Sequence, residues 1–414
     1  MIKSGPVFTR PRTPAAKCLH LVRLNPIITR SELVEATGLS QPTITRATTS
    51  LLNAGLIQER TDLTQSRGRG RPTVPLEAAD NDWALGGISV GTKQTYIGLY
   101  DIKGRTLSEE ELATPVANLS EDDFLEHIMA GINRMMTNLN HRLVSLGVTT
   151  SGTVDDNGLV TAENLNWHGV DIAERLRFQF GVPVVVSSAI PAILGSETQA
   201  AEIGTSERVL VLFADDSIGS ALSVEDEVSP IIPVPATHSE LLGHGASEHL
   251  LATQHILEAI RHEGVEAASL ADAAQVANSH PAVRAILDER ARQLGAITAE
   301  LVKDNSPATV VIAGGAFTDD PKAPKQFAAT VRASAGKELQ LRMIPGHKEI
   351  VRAVARTVAT DQLLRQPLDL GKAGDFDGAT AVIASAATSR AARPGMSPSA
   401  SRVETAAVAA GCVR

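Results

Sequence analysis

Cysteine is scarce in this chain, and long apolar runs are missing. Among 414 residues there are two cysteines, Cys18 and Cys412. Two are too few for a disulfide framework or for a cysteine-rich zinc site. No apolar run reaches the roughly 18 residues of a membrane span, and residues 1–20 lack the apolar centre of a secretory signal. We therefore expect a cytoplasmic protein that has no membrane partner.

Basic and acidic residues are unevenly distributed along the chain. The net charge of −9, taken alone, argues against a nucleic-acid partner. Residues 1–77, however, contain 11 basic and 5 acidic residues, whereas the remainder contains 27 basic and 42 acidic residues. A basic head on an acidic body repels DNA everywhere except at the head. This asymmetry favours a regulator with a small DNA reader and a large effector domain.

The segment from Thr29 to Pro72 has the pattern of a winged helix-turn-helix. Residues 31–37 predict a short amphipathic helix, and Gly38 supplies a tight turn. Residues 40–54 predict a second helix, which Ser40 can cap and in whose first turn Pro42 is harmless. The outer face of this helix is polar and cationic, as in a recognition helix that enters the major groove. We expect its DNA contacts to come from Ser40, Gln41, Thr43, Thr45, Arg46 and Thr49, with Gln41, Thr43 and Arg46 nearest the bases.

A hairpin with a cationic tip is expected to follow. Its strands are predicted at Leu56–Arg60 and Thr73–Leu76, and its tip alternates glycine with Arg67, Arg69 and Arg71. Such arginines suit the narrow minor groove of A·T-rich DNA. The alternative is a flexible cationic loop beside an ordinary helical hairpin, but a wing placed directly after the helix-turn-helix favours DNA binding. One reader makes few contacts, so we expect a homodimer on an inverted repeat in double-stranded DNA.

The rest of the chain predicts a second, larger domain of mixed α/β class. From Trp83 the order βββαβα occurs twice, which indicates two related lobes around a cleft. The last segment is rich in Ala, Ser, Gly and Thr and lacks a long apolar periodicity. We therefore predict a disordered arm, a reader whose first helix spans Pro14–Leu24, a linker, the two-lobed body and a largely disordered tail, at residues 1–13, 14–77, 78–82, 83–365 and 366–414.

Residues 14–365 resemble the ROK family of repressors, uncharacterised reading frames and sugar kinases. Residues 87–104 (GISVGTKQTYIGLYDIKG) follow the family's opening hairpin. Residues 146–184 follow its segment of the form G-x-x-x-x-G-x-V-D…G…N-L-x-W, and VVIAGGAF at 310–317 follows its late glycine-glycine strand. The resemblance implies an N-terminal winged helix-turn-helix followed by a two-lobed actin-like/hexokinase-like ROK domain.

The motifs of the family's kinases are altered in this chain. Ser89-Val90-Gly91-Thr92-Lys93 stands where kinases have Asp-Ile-Gly-Gly-Thr, and Asp215–Gly219 stands where they have Gly-Thr-Gly-Ile-Gly. The aligned catalytic base has become Ala189. Carboxylates at a phosphate site repel a nucleotide, and loss of a general base typically costs about 10²–10⁴ in rate. We expect no catalytic residue, no kinase activity and no cofactor.

The family's zinc module also lacks its cysteines here. His238, His244 and His249 with Glu240 are an alternative ligand set. We favour their interpretation as polar loop and helix residues, and expect no metal site.

A degraded kinase cleft can still bind a ligand. Asn164 and Glu248 match sugar-side positions of the family, and Ser188 and Glu240 lie in neighbouring segments, so these four could bond a small polar effector. Otherwise they are caps and loop anchors. Because Ala189 removes a contact that usually reads a sugar hydroxyl, a non-sugar metabolite remains open. The sequence thus predicts a metabolite-responsive transcriptional regulator; a constitutive DNA-binding protein with a purely dimerising body, or a sugar kinase, are the alternatives.

Overall fold

The structure, a computed structural model, describes residues 8–64, 73–200, 208–224, 227–335 and 339–373. The predicted wing-tip arginines, Arg67, Arg69 and Arg71, lie outside these residues, as does the predicted tail from residue 374.

The N-terminal reader is a three-helix unit followed by a short hairpin. Thr13 caps the first helix by accepting the Ala16 N–H, and Thr29 with Glu32 forms a capping box at the second. Gly38 ends the second helix in the left-handed conformation, at φ 66°, where glycine has no steric penalty. The elements are α1 (Pro14–Leu24), α2 (Arg30–Thr37), α3 (Gln41–Asn53), β1 (Ile57–Glu59) and β2 (Leu76–Ala78).

The first lobe contains a five-stranded sheet in the order β10-β6-β3-β4-β5. Strands β3, β4 and β5 are antiparallel, whereas β6 and β10 run parallel to β3. Its elements are β3 (Trp83–Val90), β4 (Gln94–Tyr100), β5 (Thr106–Ala113), α4 (Glu121–Thr137), β6 (Arg142–Thr150), β7 (Thr153–Val154), β8 (Val160–Ala162), β9 (Trp167–Val170), α5 (Ile172–Phe180) and β10 (Val184–Ser188).

The second lobe repeats this topology, with a sheet in the order β13-β12-β11-β16-β17. Again three antiparallel strands are followed by two parallel ones. The elements from the crossing helix onward are α6 (Ala189–Ala200), β11 (Val209–Ala214), β12 (Ile218–Val224), β13 (Glu227–Ile232), β14 (Thr237–Ser239), β15 (Gly243–Gly245), α7 (Ser247–Leu250), α8 (Thr253–His262), α9 (Leu270–Val276), α10 (Pro281–Asn305), β16 (Thr309–Ala313), α11 (Gly315–Thr318), α12 (Ala323–Ala335), β17 (Gln340–Met343), α13 (His347–Arg365) and α14 (Pro367–Ala373).

Helix α13 packs its backbone directly onto the sheet of the first lobe. A Cβ atom added to Gly87 on β3 would collide with the Ala355 carbonyl, and one added to Gly147 on β6 would collide with that of Val358. The same helix packs against α6. Helices α6 and α13 therefore form the layer between the lobes, and an apolar cluster there includes side chains of both helices and of β11, β12 and β16.

The reader and the first lobe share one hydrophobic core. Cys18 and Leu19 of α1 are in the same cluster as Tyr100, Ile102 and Leu363. The guanidinium of Arg23 donates from Nε to the Ile102 carbonyl at 2.6 Å. Burial lowers the pKa of Arg23 to about 10, against the effect of Asp101. The reader is thus packed onto the body rather than attached to it by a flexible segment alone.

The return strand and the linker differ from their predictions. Strand β2 begins at Leu76 rather than Thr73, directly after Pro75, which has no N–H to donate. It runs to Ala78, inside the predicted linker, because its apolar side chains alternate into the shared core. Ala79 is also buried. The predicted linker is therefore a junction that is covered at Ala78 and Ala79 and exposed at Asp80 and Asp82.

Two segments that were predicted to be disordered contain buried residues. In the arm, Phe8 is 1% exposed. In the tail, α14 places Leu370 in the core shared with the reader, also at 1% exposure. The prediction of disorder is therefore wrong for Phe8 and for residues 367–373. Local composition did not identify the partners of these contacts, because the partners lie far away in sequence.

Candidate functional site

The residues predicted to contact DNA lie on the outer face of α3 and at its start. Gln41, Thr45, Arg46 and Thr49 are exposed, as is Ser40, and Thr43 is half-buried. The inner face of the helix is buried through Ile44, Ala47, Thr48 and Leu51. The helix is therefore held by its apolar face and offers hydroxyl, amide and guanidinium groups on the other, as a groove-reading helix requires.

Local hydrogen bonds hold part of this face. The Thr45 hydroxyl donates to the Gln41 carbonyl at 2.9 Å. Ser40 stands at the N-cap position, but its hydroxyl lies 2.9 Å from the Thr43 hydroxyl and makes no cap hydrogen bond to the backbone. Ser40 therefore occupies the N-cap position, but the capping hydrogen bond expected from its side chain is not formed. Its hydroxyl stays at the helix start, beside Thr43.

The cations in the stem of the hairpin are already paired. Arg60 forms two bonds to Asp62, at 2.8 and 2.6 Å, and one to Glu77 at 2.9 Å. Arg30 pairs with Glu59 at 2.7 Å. A hydrogen bond from Gln58 and the charge of Arg60 lower the pKa of Glu77. These pairs brace the base of the hairpin, which leaves Arg67, Arg69 and Arg71 as the residues predicted to carry charge to the DNA.

A cavity of about 560 Å³ adjoins the recognition helix. It lies where α3 meets the start of α1 and the start of α14. Its polar lining includes Thr43, Arg46 and Ser50 from α3, and Gln366 and Asp369 from the end of the body. The body therefore reaches the side of the helix that carries two predicted base contacts.

Two of the four predicted effector residues meet at one loop of the first lobe. Ser188 is 8% exposed, and its hydroxyl donates to the Gly152 carbonyl at 2.5 Å. The Asn164 side chain is exposed and bonds the Ser151 hydroxyl at 2.9 Å. Both therefore line the loop after β6, close to Ala189 at the start of α6. Hydroxyl and amide groups at this edge can bond a polar ligand.

The other two predicted effector residues lie on the second lobe. Glu240 and Glu248 are exposed beside the β14–β15 hairpin. The ring centroids of His238 and His244 on this hairpin are 5.7 Å apart. Within the described part of the chain, no group of three or more His, Cys, Asp or Glu residues is arranged to hold a metal ion.

Asp215 lies in the turn between β11 and β12, which was predicted to correspond to the second phosphate loop of the family's kinases. Its Oδ2 accepts the Gly315 N–H at 3.0 Å, at the start of α11. The buried guanidinium of Arg290 donates to the Asp215 carbonyl at 3.3 Å. Burial raises the pKa of Asp215, although the Gly315 N–H and Arg290 act in the opposite direction. A carboxylate thus takes the N–H of a glycine turn that could otherwise bind a phosphate oxygen.

Sequence patterns did not reveal the residues that join the reader to the body. Arg23 looked like an ordinary cation at the end of α1, and Asp361 looked like a polar residue of α13. Phe8 offered one signal, since it is the only aromatic residue in the arm. Their roles depend on partners far away in sequence.

Comparison with known proteins extends over most of the chain. The ROK family matches residues 85–228, and the winged helix-turn-helix DNA-binding family matches residues 19–58. A transcriptional regulator of Mycobacterium tuberculosis is 30% identical over 393 residues, which cover 88% of this chain and 89% of the relative. The xylose repressor of Bacillus subtilis is 25% identical over 167 residues, 40% of this chain and 43% of the repressor.

Solved structures agree with this fold. A ROK family transcriptional regulator, described as a homologue of the Escherichia coli MLC protein, aligns with a TM-score of 0.68 at 19% identity and covers 86% of this chain and 98% of its own. The ROK hexokinase of Thermus thermophilus aligns at 0.54 with 20% identity, over 66% of this chain and 97% of the hexokinase. Within the described residues, no helix is both long and apolar enough to cross a membrane.

Proposed function

Because this chain belongs to the ROK family and is a DNA-binding transcriptional regulator, we propose that it acts as a homodimer whose DNA affinity responds to a small polar metabolite. The metabolite binds in the cleft between the lobes. One observation carries the proposal: on the second lobe the Asp215 carboxylate occupies the Gly315 N–H, while on the first lobe Asn164 and Ser188 keep polar groups at the loop after β6.

On the DNA, α3 lies in the major groove. Gln41, Thr43 and Arg46 read bases, and Thr45 and Thr49 contact phosphates together with Ser40. The exposure of this row supports the assignment. Arg67, Arg69 and Arg71 enter the flanking minor groove.

The body does not transfer phosphate. Ala189 cannot act as a base, and Ser89 supplies no carboxylate for a metal ion. The Asp215 carboxylate competes with a nucleotide for the Gly315 N–H and repels its charge. A kinase assay with ATP and a panel of hexoses tests this point; phosphorylated sugar above the uncatalysed background would refute it.

The first experiment is recovery of bound genomic fragments by the purified protein at near-physiological salt, followed by sequencing. We expect a short inverted repeat near promoters, which would support a dimer. Fragments that share no motif would contradict the proposed base reading.

The second experiment is a thermal-shift screen, because a ligand that binds only the folded state raises the melting temperature. The panel contains pentoses such as xylose, amino sugars, and sulfur and amino-acid metabolites. A hit should lose its effect in Ser188→Ala and in Asn164→Ala, and should keep it in the control Asn157→Ala. A hit that is insensitive to both cleft variants would place the effector elsewhere.

A further inference from the structure

The N-terminal arm contacts the layer between the two lobes. The ring of Phe8 lies against Gly195 of α6: a Cβ atom added to that glycine would be 2.7 Å from Phe8 Cγ. The backbone N–H of Phe8 donates to Asp361 Oδ1 on α13 at 2.7 Å. Asp361 is 1% exposed, and its other oxygen accepts from Arg365 at 2.7 Å. One residue of the arm thus contacts both crossing helices.

The apolar surroundings of Phe8 come from the two crossing helices and from both lobes. Its cluster includes Ile193 and Leu194 of α6, Val354 of α13 and strand residues of the second lobe, and Val185 of β10 in the first lobe packs against it. A movement of one lobe against the other must rearrange this cluster, because densely packed side chains transmit displacement.

The reader is a short distance away along the chain. Five residues separate Phe8 from Pro14, the first residue of α1. These six steps span at most about 20 Å even when fully extended. Helix α1 in turn packs against the recognition helix α3. Five residues of the arm therefore connect the residue in the interlobe layer directly to the helix that supports DNA reading.

We propose that residues 8–13 are a strap, with Phe8 as its positioning residue, that couples DNA binding at the reader to the packing of α6 and α13 between the lobes. DNA binding displaces α1, and the strap transmits this displacement to Phe8. The packing of α6 and α13 between the lobes then becomes closer. By linkage, the factor by which DNA binding shifts the equilibrium between lobe arrangements equals the factor by which a change of lobe arrangement changes DNA affinity. The inference depends on DNA binding and does not require an effector.

Hydrogen exchange of the full-length chain tests the strap. The probe is a duplex that carries the site selected by the wild-type protein. In the wild type we expect DNA to slow exchange of amides in α6 by about fivefold or more, as for a typical allosteric coupling. In Phe8→Ala the same duplex should still protect α3, but the slowing in α6 should be lost. A purely structural role of Phe8 would instead raise exchange in α6 equally with and without DNA.

Two further variants keep the test decisive if Phe8→Ala folds poorly. Gly195→Ala disrupts the same contact from α6, because its new methyl group takes the place of the Phe8 ring. The helix itself should persist, since alanine is a better helix former than glycine. It should lose the coupling as well. Phe178→Ala removes a phenylalanine that is 90% exposed on α5, and should behave as the wild type.

The strap is refuted if DNA leaves α6 exchange unchanged in the wild type. It is also refuted if Phe8→Ala or Gly195→Ala keeps the full change. Neither outcome bears on the proposal that an effector binds between the lobes, because the thermal-shift screen tests that proposal separately.

Discussion

At the scale of single residues, Arg46 is the most informative group on the DNA-facing helix. It is an exposed guanidinium beside two other polar candidates for base contact. We expect Arg46→Ala to relax sequence preference at one base pair per half-site, at a cost of about 1–3 kcal/mol if the contact is bidentate. Binding selection from a library with a randomised half-site measures this directly.

Thr49→Ala is the matched control for that experiment. Thr49 is exposed on the same helix, but its proposed contact is to a phosphate. Its loss should therefore weaken binding to all DNA sequences alike. An unchanged binding motif for Arg46→Ala would remove Arg46 from the base-reading set.

Asp215 allows a prediction about pH. Burial raises its pKa above the ordinary value of 3.8, so the folded state holds the proton more tightly than the unfolded state does. Its contribution to stability is complete below 3.8 and is lost as the pH rises through the folded pKa. Asparagine stays neutral and can still accept the Gly315 N–H. We therefore expect the stability of Asp215→Asn, relative to wild type, to improve from about pH 4 to about pH 7.

Urea unfolding of both proteins over that range measures the difference. Asp156→Asn, a change at an exposed position, serves as the control. A difference between Asp215→Asn and wild type that does not depend on pH would mean that folding does not raise the pKa of Asp215.

At the scale of elements, the sequence predicted what local patterns encode. Helix α1 spans Pro14–Leu24 as expected, because Pro14 favours a helix start and Asn25-Pro26 an end. The repeated order of strands and helices was likewise readable from periodicity. The start of β2 was missed, since the pairing of Glu59 with Leu76 depends on a partner strand and on the core beneath it.

Contacts between distant segments explain the remaining differences. Phe8 and Asp361 are 353 positions apart, and no local pattern links an aromatic residue in a polar arm to one aspartate of a late helix. Asn164 was predicted from a family motif and Ser188 from the segment that contains Ala189, and the fold brings both to the loop after β6. The hydrogen bond from the Gly315 N–H to Asp215 joins residues 100 positions apart. It could therefore be recognised only from the folded structure.

The wing is the element with the clearest electrostatic test. Arg60 in its stem is paired with Asp62 and Glu77, so the arginines of the tip should dominate its interaction with DNA. We expect replacement of Arg67, Arg69 and Arg71 by alanine to weaken binding and to flatten its salt dependence, because fewer counterions are released. Titrations at several salt concentrations give the slope.

A charge-matched control comes from α12 and the residue before it. Lys322, Lys325 and Arg332 are exposed on the second lobe, so replacing these three by alanine changes net charge equally. This triple-alanine variant of the second lobe should keep the wild-type salt dependence of DNA binding. Equal slopes for the wing variant and the wild type would rule out groove or phosphate contacts by the wing.

At the scale of the whole molecule, the shared core changes how DNA-site geometry should matter. A reader on a flexible linker could adjust to half-sites at different separations. Here α1 is buried against Tyr100, Ile102 and Leu363, Arg23 bonds the Ile102 carbonyl, and Ala78 and Ala79 are covered. The distance between the two readers of the proposed dimer is therefore set by the body, and not by the linker.

This rigidity predicts an intolerance of spacing changes. Inserting about 5 bp between half-sites turns one half-site to the opposite face of the helix, whereas about 10 bp restores its face but adds about 34 Å. We expect both insertions to reduce affinity to that of a single half-site, since the readers cannot separate to follow the longer spacing. Binding titrations with the three duplexes, together with sedimentation of each complex, measure affinity and stoichiometry. Recovery of affinity at about 10 bp would show that the readers detach from the core, and a single subunit bound to the unaltered site at full affinity would contradict the dimer.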